Sequence, residues 1–147
     1  MKVVSQTVAK PRIAVAEDDP DFREMLVDAL HQAGFAVSEA RDGRELLELL
    51  HGSARGHFHL VVTDQCMPRL AGLECLELAG SHAPFIVVSG ESDQTFHAAA
   101  ARLGAAAVVR KPVDLASLIE LVTRLVRNEI DAREDDDAQR SVRGFAS

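Results

Sequence analysis

The chain has 147 residues, of which 47% are hydrophobic and 27% charged, and its formal net charge at pH 7 is -7. A chain of this length can bury one sizeable core, so we expect a single globular domain. The acidic balance argues against a general affinity for nucleic acid, because such binding depends on neutralising phosphates with Lys and Arg. No apolar run approaches the ~20 residues of a membrane span, and residues 1–10 lack a signal-peptide core. Residence in the cytoplasm is therefore the expectation.

Strand-like and helix-like segments alternate five times along the chain. The strand-like segments are short apolar runs, at residues 13–16, 35–40, 60–64, 85–88 and 106–109. The segments between them carry apolar residues at spacings of three and four, and several end at a glycine. This alternation predicts a parallel sheet covered on both faces, because parallel strands need crossover connections and those are right-handed. The pattern leaves the order of the strands open.

The first helix has a recognisable start. Asp19 is followed by Pro20, and Asp accepts hydrogen bonds from the free amides of a first turn, while Pro is tolerated at the first helical position. We therefore predict that Asp19 is the N-cap. That role leaves Glu17 and Asp18 as the acidic pair at the end of the first strand.

Composition divides the chain into three segments. Residues 1–10 are predicted to be a flexible lead-in, and residues 11–130 contain all the alternating elements, the last of which is a helix with Asp114 as its predicted N-cap. An acidic run with little to bury follows. We predict that residues 131–147 form a fraying helix end followed by a disordered tail.

Residues with useful chemistry follow four of the predicted strands. Glu17 and Asp18 follow the first, Asp64 ends the third, Ser89 follows the fourth and Lys111 follows the fifth. In open α/β sheets, ligands bind in the crevice outside the carboxyl ends of the strands. A lone Asp after a strand is more often a turn residue. A carboxylate that attacks phosphorus, however, needs a divalent cation to screen its charge and positive or hydrogen-bonding groups to hold the transferred oxygens.

Five separated positions of the chain agree in identity and order with one motif set. They are the acidic pair after the first strand, the Asp64-x-x-Met67-Pro68-x-x-x-Gly72 pattern, the Ser89-Gly90 pair and the Lys111-Pro112 pair. Together they resemble the receiver domain of two-component response regulators, of the single-domain type, over about residues 11–130. The resemblance implies a flavodoxin-like (βα)5 fold, a doubly wound parallel five-stranded sheet with strand order 2-1-3-4-5.

The resemblance also implies a reaction and a metal. Asp64 would accept a phosphoryl group from the phosphohistidine of a sensor histidine kinase or a histidine phosphotransfer protein. Asp18 would bind Mg2+ directly and Glu17 through water, with Asp64 and the backbone carbonyl of Cys66 as further ligands. The protein would be a phosphoacceptor switch rather than an enzyme, since it would catalyse only its own phosphorylation and dephosphorylation.

Other positions would affect the bound phosphoryl group and the switch. Lys111 would pair with one phosphoryl oxygen as a point charge, and Ser89 would donate its hydroxyl to another. Val108 stands where receivers often carry Tyr or Phe, so the aromatic form of the switch is not available. Cys66 and Glu91 occupy positions that affect phosphate lifetime in the family. Because a thiol is only a weak hydrogen-bonding group, we predict slow self-hydrolysis.

The leading prediction is a phosphorylation switch that acts through protein contacts, because too few residues follow Pro112 for a helix-turn-helix output domain. It would act as a phosphorelay intermediate, as an adaptor, or as a homodimer through the fourth helix, the fifth strand and the last helix. Two alternatives stay open. One is a receiver-fold interaction module that works without phosphorylation. The other is a hydrolase or phosphotransferase, which would need a further acid or base near Asp64 and a substrate pocket, neither of which is visible.

The remaining cysteine and histidine residues carry little signal. Cys66 and Cys75 are too few for a disulfide framework and lack zinc-like partners. We expect Cys75 to be a small core residue. His57 and His59 would share one face of a strand, but without a third ligand nearby we expect them to be solvent-facing or lightly packed.

Overall fold

The computed structural model describes residues 9–52, 58–80, 83–90 and 93–144. The lead-in predicted at residues 1–10 therefore lies almost wholly outside the described residues. Strands and helices alternate as predicted, and the strand bounds differ from the predicted ones by no more than one residue. In chain order the elements are β1 (Arg12–Ala16), α1 (Pro20–Gln32), β2 (Ala36–Ala40), α2 (Gly43–Gly52), β3 (Leu60–Asp64), α3 (Gly72–Ala79), β4 (Phe85–Ser89), α4 (Gln94–Arg102), β5 (Ala107–Arg110) and α5 (Leu115–Gly144).

The five strands form one parallel sheet in the order β2-β1-β3-β4-β5. The predicted flavodoxin-like architecture and its strand order are confirmed. The chain passes from β1 to β2 at one edge and then returns past β1 to β3, so the winding direction reverses between β1 and β3. In doubly wound sheets a crevice opens at the carboxyl ends of the two strands on either side of such a reversal.

Side chains that alternate along the strands pack into two clusters, one on each face of the sheet. Val15 of β1 belongs to a cluster with Leu30 of α1 and Val122 of α5, whereas Val61 of β3 belongs to a cluster with Leu46 of α2. Every residue of β3 and of β4 is buried, which explains why both strands read as continuous apolar runs. Burying a side chain of this size contributes about 1.5–3 kcal/mol, so the two clusters hold the strand ends in place.

The first helix begins as predicted. Asp19 is the N-cap of α1, and its Oδ1 accepts a hydrogen bond from the Asp21 backbone N–H at 3.0 Å. The side chain of Asp114, the predicted N-cap of α5, is bonded to another side chain and, among the described residues, not to a backbone N–H. Asp114 directly precedes α5, and its Oδ2 accepts a hydrogen bond from Ser117 Oγ at 2.5 Å.

Helix α5 extends farther than predicted. The sequence predicts a fraying helix end and disorder from residue 131, but the described helix continues to Gly144. Two contacts of Arg133 hold the first part of this extension: its Nη2 donates to the Phe58 carbonyl oxygen at 2.6 Å, and its Nε lies 2.9 Å from Glu129 Oε1. A second pair at the same spacing joins Arg140 to Asp136 at 3.5 Å. Each such pair stabilises a helix by about 0.2–0.5 kcal/mol. The proposed division of the chain at residue 130 stays a prediction.

His59 packs at the start of β3. Its Nδ1 accepts a hydrogen bond from the Arg12 backbone N–H at 3.0 Å. Burial and the nearby charge of Arg133 lower the pKa of His59 below its ordinary value. His57 lies outside the described residues. Cys75 is fully buried, which confirms the prediction of a small core residue.

No helix within the described ranges combines the length and the apolar character that a membrane span requires. The longest, α5, fails because its second half is charged.

Candidate functional site

Asp64 lies at the centre of the carboxyl edge of the sheet. It is the last residue of β3 and is only 3% exposed. In the strand register Ala16 pairs with Thr63 on one side, and Asp64 pairs with Val88 on the other. The residues that follow β1 and β4 are therefore brought beside Asp64 by the register of three neighbouring strands.

Three carboxylates converge at this edge. Glu17, Asp18 and Asp64 each offer an oxygen, and these oxygens lie within 4.8 Å of one another. Glu17 and Asp64 are buried, while Asp18 is exposed. Burial, and then the charge of Asp64, raise the pKa of Glu17 from its ordinary value of 4.5 to about 7. Bringing these groups together without a cation is thus electrostatically unfavourable.

The ammonium of Lys111 closes the site from the β5 side. Its Nζ lies 2.9 Å from Asp64 Oδ1. Burial alone would lower the pKa of Lys111, but the short contact with Asp64 and the charges of Asp64 and Glu17 outweigh it, so the pKa is raised. The contact is an ion pair rather than a well-directed hydrogen bond, because the buried Oδ1 has no hydrogen-bond partner among the described residues.

A pocket of about 520 Å³ opens over this cluster. Its described lining residues come from the end of β1, from α1, from the end of β3 and from the segment after β5, and they are Glu17, Asp18, Asp19, Phe22, Met25, Asp64, Cys66, Lys111, Pro112 and Val113. A pocket with acidic residues at its floor and apolar residues on its rim can admit a small anionic group together with a cation.

Ser89 is not among the described residues that line this pocket. It is fully buried at the end of β4, and its carbonyl oxygen accepts a hydrogen bond from the Lys111 backbone N–H at 2.9 Å. The strand register pairs Ser89 with Arg110. Ser89 and Lys111 are therefore linked through the backbone on the β4 side of Asp64.

The loop after Asp64 is short and tightly closed. Gln65 closes it twice, because its carbonyl oxygen accepts from the Gly72 N–H at 3.1 Å and its Oε1 accepts from the Leu73 N–H at 2.9 Å. A side-chain carbon on Gly72 would lie 2.6 Å from the Asp64 carbonyl oxygen. The glycine of the motif is thus required by the close approach of the backbone beside Asp64. Cys66 follows in this loop and lines the pocket with an exposed side chain.

Two predicted lifetime and switch positions remain to be placed. Val108 is half-buried on β5 and pairs in the register with Val87. Glu91 lies outside the described residues. The effect of either position on the switch stays a prediction.

Two residues near the site have no signal in the sequence motifs. Arg23 of α1 donates from Nη1 to the Glu17 carbonyl oxygen at 2.7 Å, and Gln65 closes the loop after Asp64. Neither contact could be found by local pattern, because each joins residues whose relative position depends on how the loop or helix folds back. From the sequence alone, the position of Arg23 in the helical pattern indicates only that it lies on the polar face of α1.

The donor set suits a hard divalent cation. Such cations prefer carboxylate and carbonyl oxygens, and the site offers three carboxylates. Among the residues that the structure describes, the buried Oδ1 of Asp64 has an ion pair with Lys111 but no hydrogen-bond partner. The ammonium of Lys111 lies against Asp64. The arrangement can thus hold a cation and an anionic group beside the same carboxylate.

The family described as response regulator receiver domain matches residues 13–123 of the chain. The chain belongs to this family. It is 32% identical over 133 residues to the transcriptional regulatory protein FixJ of Azorhizobium caulinodans, an alignment that covers 88% of this receiver chain and 62% of that protein. It is 36% identical over 117 residues to response regulator RR06 of Streptococcus pneumoniae, which covers 78% of this chain and 52% of that protein.

A solved structure agrees with the receiver fold. The CheY-like response regulator receiver domain protein from Methanospirillum hungatei JF-1 superposes with a TM-score of 0.77 at 24% identity, covering 84% of this chain and 99% of that one. The receiver chain spans a little over half the length of the two curated relatives. The protein is thus a receiver domain of a response regulator, and receivers are the phosphoacceptors of two-component signalling.

Proposed function

We propose that Asp64 accepts the phosphoryl group, in a Mg2+-dependent reaction with the phosphohistidine of a sensor histidine kinase or a histidine phosphotransfer protein. The observation that carries the proposal is the 2.9 Å ion pair between Lys111 Nζ and the buried Asp64 Oδ1. Two further carboxylates lie within 4.8 Å. Asp64 ends the central strand of the sheet, is buried, and contacts the ammonium of Lys111.

The cation would be held by the carboxylates of Glu17, Asp18 and Asp64 and by the backbone carbonyl of Cys66. When bound, Mg2+ would supply charge neutralisation for the carboxylates and for the oxygens of the incoming phosphoryl group. The burial of Glu17 makes this neutralisation worth more than it would be in water.

The chain's own residues would then carry the transfer. An oxygen of Asp64 attacks phosphorus, so the new P–O bond forms as the P–N bond of the phosphohistidine breaks and the imidazole leaves. Lys111 would leave its ion pair with the carboxylate and pair with a phosphoryl oxygen, keeping its positive charge beside the same group. The Ser89 hydroxyl would donate to another phosphoryl oxygen. The apolar rim of Phe22 and Met25 would limit the access of water.

Phosphorylation by a small donor tests the proposal. Purified protein is incubated with acetyl phosphate and Mg2+, and intact mass is measured. We expect one phosphoryl adduct, which Asp64→Asn abolishes and which chelation of Mg2+ suppresses. Asp135→Asn, on the exposed end of α5, is the matched control and should keep the adduct. Equal phosphorylation of the Asp64→Asn variant would place the acceptor elsewhere. No adduct on the wild type would favour a phosphorylation-independent interaction module.

We also propose that the signal leaves through protein contacts at the surface formed by α4, β5 and α5. In support, β5 is an edge strand of the sheet, and none of its residues is fully buried, so this edge remains accessible to a partner or a second copy. Val108 lies on this strand. Sedimentation velocity before and after phosphorylation tests the homodimer: a change of mass supports it, and an unchanged mass excludes it. We expect no turnover of phosphomonoesters in either state.

A further inference from the structure

Glu17 makes three hydrogen bonds to other described residues, one of them through the carbonyl oxygen of the peptide bond that joins it to Asp18. Its backbone N–H donates to the Ala40 carbonyl oxygen at 3.1 Å, and its Oε1 accepts from the Asp19 N–H at 3.2 Å. Its carbonyl oxygen accepts from Arg23 Nη1 at 2.7 Å. The last bond is the shortest and is assisted by charge. The peptide unit between Glu17 and Asp18 therefore has a fixed orientation.

Arg23 is itself held from a second direction. Its Nε lies 3.4 Å from Glu39 Oε1 on β2, and its side chain is only 16% exposed. A guanidinium carries five donors in a rigid planar fork, so one side chain can bond a carbonyl and a carboxylate at the same time. Arg23 thus ties α1, the turn after β1, and β2 together at one point.

We propose that Arg23 is a positioning residue for the cation site. By holding the Glu17 carbonyl, it orients the peptide plane between Glu17 and Asp18 and so sets where the two carboxylates lie relative to Asp64. The inference rests on the proposed function, because it presumes that these carboxylates bind a divalent cation. Arg23 does not contact the cation in this role and acts only through the backbone.

The charge of Arg23 makes the inference sharply testable. Arg23 carries a positive charge and contacts the Glu17 carbonyl oxygen. Because like charges repel, simple electrostatics predicts that removing this charge strengthens cation binding. Positioning predicts that removal weakens cation binding, because losing a group that orients metal ligands typically lowers metal affinity by about 10–100-fold. The two explanations therefore differ in the sign of the effect.

The experiment measures Mn2+ binding to the full chain by electron paramagnetic resonance of the free ion. Arg23→Met removes the donors but keeps an apolar stem of similar length. We expect its Kd for Mn2+ to rise about tenfold. Arg23→Lys keeps the charge but loses the fork, so its Kd should lie between those of the wild type and Arg23→Met. Arg140→Met, on the exposed end of α5, is the matched control and should bind like the wild type.

A second measurement separates positioning from a general loss of structure. With acetyl phosphate as donor, the Mg2+ concentration at half-maximal rate should rise in Arg23→Met, while the rate at saturating Mg2+ stays near that of the wild type. An unchanged or lower Kd in this variant overturns the inference. If Arg23→Met does not fold, as judged by circular dichroism, Arg23→Lys decides, and a Kd equal to that of the wild type overturns it. A wild type that binds no Mn2+ contradicts the proposed function itself.

Discussion

Lys111 Nζ lies 2.9 Å from Oδ1 of Asp64, although Asp64 ends β3 and Lys111 follows β5, two strands that are not neighbours in the sheet. The strand β4 lies between them, so the lysine reaches across the carboxyl edge of the sheet. In the proposed reaction, this pair would hold the buried carboxylate next to the bound cation.

Replacing Lys111 by Met should slow phosphorylation strongly. The ammonium is the group placed to stabilise charge on the transferred oxygens, and removing one such group costs about 10²–10³ in rate. The rate of adduct formation with acetyl phosphate, followed by intact mass, measures the effect. Arg110→Met, the exposed neighbour at the end of β5, controls for loss of one positive charge. A Lys111→Met variant as fast as the Arg110→Met variant would contradict the assigned role.

The stability of the metal-free protein should depend on the protonation of Glu17. Burial and the charge of Asp64 raise the folded-state pKa of Glu17 from 4.5 to about 7. The contribution of Glu17 to folding is therefore fully present below about pH 4.5 and is lost as the pH rises through 7. Urea unfolding in the presence of a chelator should show Glu17→Gln gaining stability relative to the wild type between pH 5 and pH 8, by on the order of 2–3 kcal/mol.

A second titrating group and the bound metal also affect the pH measurement. The pH dependence that His59 gives to folding stability has the opposite sign, because its pKa is lowered in the folded protein. Its contribution to stability is lost as the pH falls below the ordinary pKa of histidine. The effect of Glu17 is therefore measured as the difference between wild type and Glu17→Gln at each pH. Saturating Mg2+ should shrink the difference between wild type and Glu17→Gln at pH 8. A difference that does not vary with pH would show that Glu17 titrates as an ordinary carboxylate.

Replacing Cys66 by Asn should shorten the lifetime of the phosphorylated protein several-fold. The Cys66 side chain lines the pocket beside Asp64, and an amide there can orient an attacking water more strongly than a thiol. Decay of the adduct after removal of the donor, followed by intact mass, measures the lifetime. Cys66→Ala should stay as long-lived as the wild type, and equal lifetimes for all three proteins would rule out this explanation.

Replacing Gly72 by Ala should destabilise the protein and disturb the site together. The new carbon would meet the Asp64 carbonyl oxygen at 2.6 Å, and overpacking of this kind typically costs about 1–3 kcal/mol. Urea unfolding measures the loss. Gly52→Ala is the matched control, because a carbon there meets nothing within 4 Å and alanine favours helix by about 0.5–1 kcal/mol. If both variants were equally stable, the close approach would not constrain residue 72.

Local patterns in the sequence were sufficient for the elements themselves. The apolar runs predicted all five strands to within one residue, because a buried parallel strand requires a continuous apolar run. The Asp19-Pro20 start of α1 was also readable, since a cap involves only residues next to each other in the chain. The strand order and the identity of the site came from the resemblance of separated motifs to a known family.

What the sequence by itself determined, then, is the succession of strands and helices and the residue types at the strand ends, since both depend on periodicity and on near neighbours. Only the tertiary structure decided the ion pair between Lys111 and Asp64 and the hydrogen bond from Arg23 to the Glu17 carbonyl oxygen. It also decided the hydrogen bond from Arg133 to the Phe58 carbonyl oxygen, which lies in the part of α5 beyond the predicted end. These contacts depend on strand register, helix docking and the folding back of the chain at turns. Such features follow from how the whole core packs, and no local pattern records them.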